Sequence, residues 1–375
     1  MIYLDNAGTT AVLEECVEIY KKYQLTEYFN PSAPYHNSLV LSKEIKKARE
    51  DILKYLRAGN GQIIFTSSGS ESDNLALFGT KKINGSRIIV SNSEHPAIYN
   101  SAMELKQRGY DVVFCDVDST GRVIEEKFIE LINDNTSLVS IMHVNNETGC
   151  VNDIKKLCKI AKNKKREIIF HSDGVQALGK ININISDLGV DLYTISGHKI
   201  HAPKGIAGLY VKDNVHLKPL IFGGGQENGI RSSTENVGGV MAFAYAIKEA
   251  IKTQEENCLK LKTIREDLTS FLKQNDCVIV DSAEQSEFIL CFAMKHVRGE
   301  VMLHSLEKYG ILIGTGSACS SKKGYKRLPS ILKLKSEYVS GIIRLSFSRF
   351  TQENDIEYFK KCFNLEYKNL IKYVK

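Results

Sequence analysis

The sequence has no tryptophan, only six prolines, and no apolar run that approaches the roughly 18 residues of a membrane-spanning helix. It has little excess charge of either sign, because 50 basic residues are set against 44 acidic ones. Low-complexity tracts are also missing, which excludes a fibrous or largely disordered chain. Residues 1–6 carry neither a basic stretch nor a long apolar segment. We therefore expect a cytoplasmic protein with no export signal and no membrane contact.

Cysteines with metal-binding spacing are missing too. The nine cysteines include no C-x-x-C pair, so no metal site is predicted. Most lie in or beside apolar segments and should be small buried side chains in a reducing compartment. These are Cys115, Cys150, Cys158, Cys277, Cys291 and Cys362. Cys319 is the exception, because it lies in a run of small residues over 314–321.

The chain does contain ample core material, with 43% hydrophobic residues in a length of 375, which predicts two domains. Short β-rich runs alternate with amphipathic helices between residues 12 and 250. The runs cover 63–65, 87–90, 112–114, 138–142, 167–170 and 192–195. This alternation predicts an α/β fold: a large domain over 12–250 with a mostly parallel sheet covered by helices on both sides.

Residues 1–11 and 251–375 are predicted to form a smaller α+β domain. One long helix over 240–272 should link the two domains. Strands are expected over 278–280, 288–292 and 342–346, and helices over 299–309 and 352–373. Ligands of parallel sheets bind beyond the carboxyl ends of the strands, so a site is expected at that edge of the large sheet.

A lysine and an aspartate follow two predicted strands of the large sheet. Lys199 ends the run Ser196-Gly197-His198-Lys199, and Asp173 follows strand 167–170. A lysine so placed can form a Schiff base with an aldehyde cofactor. A carboxylate on a neighbouring strand can pair with a pyridinium nitrogen, and pyridoxal 5′-phosphate (PLP) requires both groups. A surface lysine and a turn carboxylate are the plainer interpretations.

Polar residues follow three further predicted strands. The run 66–72, with Gly69 and Ser70, indicates either a phosphate cradle at a helix N-terminus or an ordinary helix cap. His95 can stack on a planar ring and move protons, or it can simply begin a helix. Residues 143–149, like Gln176 after Asp173, add polar groups that are costly to bury without partners, which favours a site.

Cys319 precedes a stretch that is rich in positive charge. Nearby cations lower the pKa of a thiol, and a loop of small residues would let the thiolate reach a cofactor. An incidental exposed cysteine is the alternative. The basic residues of 322–335, with no acidic residue between them, are Lys322, Lys323, Lys326, Arg327, Lys333 and Lys335. They form either a solvated face or a docking surface for an acidic protein or an RNA.

Taken together, these residues resemble the cysteine desulfurases, which are fold-type I, class-V aminotransferase-like PLP enzymes. The resemblance runs nearly end to end. The matching segments are 3–7, 30–32 with His36, 65–74, 94–95, 143–149, 171–176, 196–199 with 203–205, 223–234, 316–320 and 343–350. The Gly-Ser-Ala-Cys run over 316–319 resembles the group with a long mobile cysteine loop, and the R-x-G-H-H-C signature of the other group is absent.

The resemblance implies how PLP would be held. Lys199 would carry it as a Schiff base, His95 would stack on its ring, Asp173 would pair with the ring nitrogen, and Gln176 would reach the phenolic oxygen. The positions implied for the phosphate are Gly69, Ser70, Ser196 and His198. Thr234 would reach the phosphate bound to the partner subunit, so a homodimer is implied.

The resemblance also implies the reaction. Asn146, which is also among the cofactor-contacting positions, and Arg344 would hold the substrate carboxylate. Cys319 would be the nucleophile, with His95 as the proton carrier. L-cysteine would become L-alanine, and the persulfide on Cys319 would pass to an acceptor protein of iron–sulfur cluster assembly or of tRNA or cofactor thiolation. No direct nucleic-acid contact is expected.

Two alternatives share this fold: a selenocysteine lyase and a non-catalytic sulfur-transfer partner. The sequence also departs from the family pattern. Gly8 stands where alanine is usual, and Ala202 and Ser233 stand where glycine is usual. None of these changes removes a chemical group, so they bear on fine geometry rather than on the reaction.

Overall fold

A computed structural model describes residues 1–315 and 327–372 of the chain. The strands in this part are β1 (Ile2–Leu4), β2 (Gln62–Thr66), β3 (Arg87–Ser91), β4 (Asp111–Cys115), β5 (Thr136–Ser140), β6 (Ile169–Asp173), β7 (Leu192–Ser196), β8 (Ala207–Val211), β9 (Val278–Val280), β10 (Ile289–Ala293), β11 (Ile311–Thr315) and β12 (Ile342–Ser346).

The helices in the same residues lie between and after these strands. They are α1 (Glu14–Leu25), α2 (His36–Tyr55), α3 (Gly69–Gly79), α4 (Pro96–Gln107), α5 (Glu125–Leu131), α6 (Ile154–Lys164), α7 (Ile185–Leu188), α8 (Val237–Lys252), α9 (Gln254–Gln274), α10 (Gly299–Glu307), α11 (Arg327–Leu332), α12 (Ser336–Val339) and α13 (Glu353–Ile371). None of these helices is long and apolar enough to cross a bilayer.

The larger sheet has 7 strands in the order β2-β8-β7-β6-β5-β3-β4. The run from β7 to β4 is parallel, while β8 is antiparallel to both of its neighbours. The predicted α/β class with a mostly parallel sheet is therefore confirmed. Strand β8 is an addition that the sequence pattern did not predict. Because β2 and β7 both run opposite to β8, the carboxyl ends of β2, β3, β5, β6 and β7 share one edge.

Both faces of the larger sheet are buried. Successive residues of a strand point to opposite faces, and Ile63 and Ile64 accordingly enter two different apolar clusters. One cluster also includes buried residues of α1, α2, α6 and α8, and the other includes those of α3 and α4. Because helices cover both faces of the sheet, a site is most accessible at the loops that follow the carboxyl ends of the strands.

The smaller sheet has 5 strands in the order β1-β11-β12-β10-β9. β1 pairs in parallel with β11, so the N-terminal strand joins a sheet formed by residues after 277. Apolar side chains of α9, α10 and α13 form one core with this sheet. The chain then runs from β1 to the carboxyl edge of the larger sheet, where the amide of Thr10 donates to the carbonyl of His198.

The predicted single helix over 240–272 is wrong. α8 ends at Lys252 and α9 begins at Gln254, with Thr253 between them. The Thr253 hydroxyl donates to the carbonyl of Glu249, 2.9 Å away, and accepts from the Asn257 amide. Threonine hydroxyls that bond to the preceding turn compete with regular helix geometry and bend helices. Apolar periodicity alone carries no signal for this break.

Candidate active site

Lys199 lies at the carboxyl end of β7, in the short 3-10 turn Gly197–Lys199. Its Nζ donates to the carbonyl oxygens of Ala7 and Gly8, each 2.6 Å away. The N-terminal segment thus lies directly against the amine that the sequence singled out. The side chain is half-buried, which suits a reactive amine better than the surface lysine that was the plainer interpretation.

Asp173 is the last residue of β6, on the strand adjacent to that of Lys199. It was expected just after the strand and instead ends it. Its side chain is buried, at 5% exposure, and Oδ1 accepts the amide of Val175 at 2.9 Å. Burial raises the pKa of Asp173 to about 6, against the opposing effects of that amide and of the Lys199 charge. Burial also raises the pKa of Asp73, with the charge of Asp173 as the next cause.

This raised pKa makes a prediction about the cofactor-free protein. The folded carboxyl binds its proton more tightly than an unfolded one, so the charged form destabilises the fold fully above pH 6 and not at all below the ordinary carboxyl pKa. Asp173→Asn should therefore raise the free energy of unfolding by about 1–3 kcal/mol at pH 8, and the gain should shrink between pH 6 and pH 4.

Urea unfolding of the two cofactor-free proteins at pH 8 and pH 4 measures this difference. Asp213→Asn is the matched control, because Asp213 is exposed and should show no comparable gain. A destabilised Asp173→Asn protein at pH 8 would mean that the buried carboxylate supports the fold instead of straining it.

The candidate phosphate ligands gather at the N-terminus of α3. Gly69 is the first residue of this helix, and Ser68 caps it by accepting the amide of Glu71. A Cβ on Gly69 would lie 3.6 Å from the Cβ of Ser196 and 3.0 Å from Val175, so glycine keeps this space open. The Ser196 hydroxyl is buried and has no hydrogen-bond partner within the described chain. Ser70 follows Gly69 and is exposed.

His198 borders the same region. Its Nδ1 lies 3.2 Å from the Thr9 hydroxyl. Burial lowers the pKa of His198 to about 4, and the nearby charges of Lys199 and Lys204 act in the same direction. The ring is therefore neutral at pH 7, and it can serve an anion as a hydrogen-bond donor rather than as a counter-charge.

Gln176 follows Asp173 on the turn after β6. Its Nε2 donates to the carbonyl of Ala7 at 3.0 Å, and its Oε1 accepts from Nζ of Lys180 at 2.5 Å. The backbone can turn here because residue 174 is glycine: a Cβ on Gly174 would lie 2.1 Å from the Tyr193 ring. Ala7, Gln176 and Lys199 are thus joined through one carbonyl oxygen.

His95 is the N-cap of α4 and precedes Pro96. Its Nδ1 accepts the amide of Ala97 at 3.2 Å. The helix-capping interpretation is therefore correct as far as Nδ1 is concerned. It does not exclude chemistry, because an Nδ1 that accepts leaves the proton of the neutral ring on Nε2.

Arg344 lies on β12 and reaches across to the larger sheet. Its guanidinium donates to the carbonyl of Asn146 at 2.9 Å and to Oδ1 of Asp5 at 2.7 Å, and it lies 3.3 Å from Oε1 of Glu147. The Asn146 side chain donates to the same Glu147 oxygen at 3.2 Å. Burial raises the pKa of Glu147, and the Arg344 charge opposes that shift. The two residues expected to bind a carboxylate are therefore adjacent.

Sequence reasoning missed Asp5, Glu147 and Lys180 as parts of this site. The first two lie within segments that were singled out, but no pattern indicated that they would bracket Arg344. Of the remaining candidates, Thr234 is exposed on the loop before α8. Cys319 lies outside the described residues, as do Lys322, Lys323 and Lys326 of the basic stretch.

The remaining cysteines behave as predicted. Cys115, Cys150, Cys158, Cys277, Cys291 and Cys362 are all buried free thiols. Cys16 is buried too, and Cys258 is half-buried.

The residues at this edge fit PLP. Four of its chemical features have a matching group: an amine for the aldehyde, a buried carboxyl for the ring nitrogen, an amide for the phenolic oxygen, and a helix N-terminus for the phosphate. The Ser196 hydroxyl, buried without a partner, is a polar atom that the protein alone does not satisfy. Burial raises the pKa of Asp173, and a cationic ring nitrogen beside this carboxyl would oppose that shift.

Known proteins are similar to this chain in sequence and fold over most of their length. The aminotransferase class-V family profile matches residues 2–359. A cysteine desulfurase of Nostoc sp. is 38% identical over 365 residues, which cover 95% of this chain and 90% of that protein. The chain belongs to the cysteine desulfurases of the aminotransferase class-V family. PLP is the cofactor of this family.

Solved structures agree with this assignment. A NifS-like protein superposes with a TM-score of 0.92 at 30% identity, and the match covers 98% of this chain and 100% of that one. A structure of SspA in complex with cysteine gives a TM-score of 0.81 at 28% identity, with coverage of 94% and 100%.

Proposed function

We propose that this desulfurase holds PLP on Lys199 and moves the sulfur of L-cysteine to the Sγ of Cys319, releasing L-alanine. One observation carries the proposal: Lys199, buried Asp173 and the unsatisfied Ser196 hydroxyl lie at one sheet edge, with Arg344 at the same site. The bound cysteine of SspA supports the choice of substrate.

PLP, when bound, accepts electron density from the α-carbon of an amino acid, and the remaining work belongs to the protein. Asp173 holds a negative charge at the end of β6, which keeps the ring nitrogen protonated. The amine of Lys199 is the base that removes the α-proton. In the cofactor-free protein the Ala7 and Gly8 carbonyls hold this amine, and they restrict the position that it would return to once the cofactor is released from it.

Arg344 and Asn146 are assigned to the substrate carboxylate. A guanidinium binds a carboxylate through a planar fork, which fixes orientation as well as charge. In the free protein Asp5 and Glu147 hold this guanidinium in place. A third carboxylate raises the local negative charge, so substrate binding should favour the protonated form of Glu147, whose pKa burial already raises.

His95 is assigned to the proton movements around the substrate thiol. Because Nδ1 accepts the Ala97 amide, the neutral ring offers its proton from Nε2. In this form His95 donates a hydrogen bond from Nε2. To carry a proton the ring must first take one up, and this requires the capping hydrogen bond at Nδ1 to break.

The sulfur step balances without an outside oxidant. The Cβ–S bond of L-cysteine breaks and an S–S bond to the Cys319 sulfur forms, while protons return to the carbon skeleton to give L-alanine. Oxidation of the transferred sulfur is matched by reduction of the carbon that loses it. The outer sulfur of the persulfide then passes to an acceptor protein of iron–sulfur assembly or of tRNA or cofactor thiolation, and Cys319 returns to a thiol.

We place this enzyme in the cytoplasm as a homodimer. The free thiols of Cys16, Cys258 and the other described cysteines suit a reducing compartment. Thr234, assigned to the phosphate bound to the partner subunit, is exposed in the same loop as Phe222, whose side chain is 81% exposed. Leu220, Ile221 and Phe222 are all exposed, and an apolar run on the loop that carries Thr234 suits a surface that a second copy covers.

Purified protein loaded with PLP tests the proposal. It should show a visible absorption band that changes on adding L-cysteine, and it should release alanine in step with persulfide sulfur. L-serine is the matched control, because it lacks the sulfur: the band should respond while no persulfide forms. A loaded protein that binds L-cysteine but releases no alanine would contradict the proposed reaction.

A further inference from the structure

Lys180 is a buried lysine that the proposed reaction does not use. It lies four residues after Gln176 on the turn that follows β6, and its side chain is only 5% exposed. Its Nζ donates to Oε1 of Gln176 at 2.5 Å. The charges that reach it from neighbouring elements, Lys199 and Arg344, are both positive. A buried ammonium among cations is an unusual choice for a protein core.

This lysine has no evident value for stability. Burial lowers the pKa of Lys180 to about 7, and Lys199 and Arg344 lower it further, so the charged form opposes folding. The Phe288 ring lies 6.0 Å from Nζ, at the outer limit of a cation–π contact, so it offsets little of the cost of burying the charge. Groups that strain the fold in this way are found where function requires them.

The Gln176 amide shows what the ammonium does. In its ammonium form, which dominates below its pKa of about 7, Lys180 can only donate, and a carbonyl oxygen can only accept. Lys180 therefore requires the amide oxygen on its side, and the Ala7 carbonyl requires the NH2 group on the other. If the amide turned over, its NH2 group would face the Lys180 ammonium and its oxygen would face the Ala7 carbonyl, and both hydrogen bonds would be lost. One of the two N–H bonds of Gln176 goes to Ala7, which leaves the second one to donate.

We propose that Lys180 is a positioning residue, which locks the Gln176 side chain so that an N–H bond of its amide donates to the phenolic oxygen of PLP. This inference rests on the proposed function and assigns the orientation of one of its ligands. Without Lys180 only the hydrogen bond to the Ala7 carbonyl holds the amide, so the orientation that presents its oxygen to the cofactor becomes populated. The oxygen would repel an anionic phenolic oxygen, so binding in that orientation is lost.

The same contacts link Lys180 to the reactive amine. The Ala7 carbonyl accepts from both Gln176 and Lys199, so a chain of hydrogen bonds joins the two lysines. His198 and His201 also lie within electrostatic reach of Lys180, and burial lowers the pKa of each to about 4. Both rings are neutral at pH 7, so neither adds a positive charge beside Lys180 at that pH.

The test is the pH midpoint of the visible band in the PLP-loaded protein. A donor to the phenolic oxygen stabilises its anion and with it the unprotonated form of the loaded site. Removing the donor should raise the midpoint. We expect Lys180→Met to raise it by about half to one pH unit, the size of one typical net hydrogen bond.

Repeating the substitution in a Gln176→Ala protein separates the effect of Lys180 on the Gln176 amide from the direct effect of the lysine charge on the cofactor. In Gln176→Ala protein, Lys180→Met should move the midpoint much less than it does in the parent, because the amide that it positions is gone. An equal shift in both backgrounds would overturn the proposal. So would an unchanged midpoint in Lys180→Met.

Thermal unfolding of the cofactor-free variant distinguishes a merely structural lysine. A positioning residue that strains the fold predicts a Lys180→Met protein at least as stable as the parent at pH 6, whereas a structural one predicts lower stability with an unchanged midpoint. If Lys180→Met does not fold, Lys180→Gln replaces it, since a glutamine at 180 accommodates either orientation of Gln176 and should give the same upward shift. A parent protein that binds no PLP or releases no alanine would contradict the proposed function instead.

Discussion

Replacing Lys199 with alanine is expected to lower alanine production from L-cysteine by about 10⁴-fold or more. The substitution removes the amine proposed to carry the cofactor and to take the α-proton, and each of these roles alone is worth orders of magnitude. The Ala7 and Gly8 carbonyls lose their hydrogen bonds to this side chain, but both lie in a segment held by other contacts, so the fold should survive. Alanine release in a coupled assay measures the loss.

Lys204 is the matched control for this prediction. It is exposed, five residues away, and follows Pro203 on the same loop. Lys204→Ala should therefore keep activity near that of the parent. Borohydride reduction followed by peptide mass analysis should find the cofactor adduct on residue 199 in the parent and none in Lys199→Ala. An adduct on Lys204 in that variant would mean that the cofactor has been assigned to the wrong lysine.

The edge of the sheet that carries the site could be predicted because the sequence shows where the strands end. Each apolar β-rich run ends where polar residues begin, and parallel pairing places the carboxyl ends of neighbouring strands at one edge of the sheet. Asp173 and Lys199 could therefore be paired from the order of the strands alone. Strand β8 escaped the pattern, although it lies between β2 and β7. Its five buried residues, Ala-Gly-Leu-Tyr-Val, are a short apolar run with no period of its own.

The electrostatic partners in the site could not be predicted, for a different reason. Arg344 meets Asp5 and Glu147 through elements that are far apart in the chain, and no local pattern specifies such contacts. The role of Lys180 depends on an amide orientation that two hydrogen bonds decide together. Family resemblance supplied the ligand positions, while the contacts that orient those ligands arise only when the chain is folded.

The break between α8 and α9 shows the same limit at the level of a single hydroxyl. Residues 240–272 resemble one helix because alanine, leucine, glutamate and lysine all favour helices. Thr253 differs from them only in a hydroxyl that can bond to the preceding turn. Helix propensity ranks threonine as only slightly unfavourable, so it does not predict that a helix ends at residue 253.

Replacing Cys319 with alanine should separate substrate activation from sulfur transfer. The residues proposed to bind PLP and L-cysteine do not include Cys319, so the visible band should still change when L-cysteine is added. With no thiolate to attack the substrate sulfur, persulfide on the protein should vanish, and alanine release should fall by about 100-fold or more. Two measurements on one sample test this prediction. The absorption change reports substrate binding, and alkylation of persulfides followed by mass spectrometry reports sulfur transfer.

Cys258→Ser is the control that makes the result specific to one thiol. Cys258 is a half-buried free cysteine on α9, and a serine there keeps the hydrogen bond that its side chain donates to a backbone carbonyl. Persulfide formation should be unaffected in this variant. If Cys319→Ala still transferred sulfur at the parental rate, a different acceptor would have to take the sulfur directly from the substrate. The proposed function would then keep its cofactor and its substrate and lose its nucleophile.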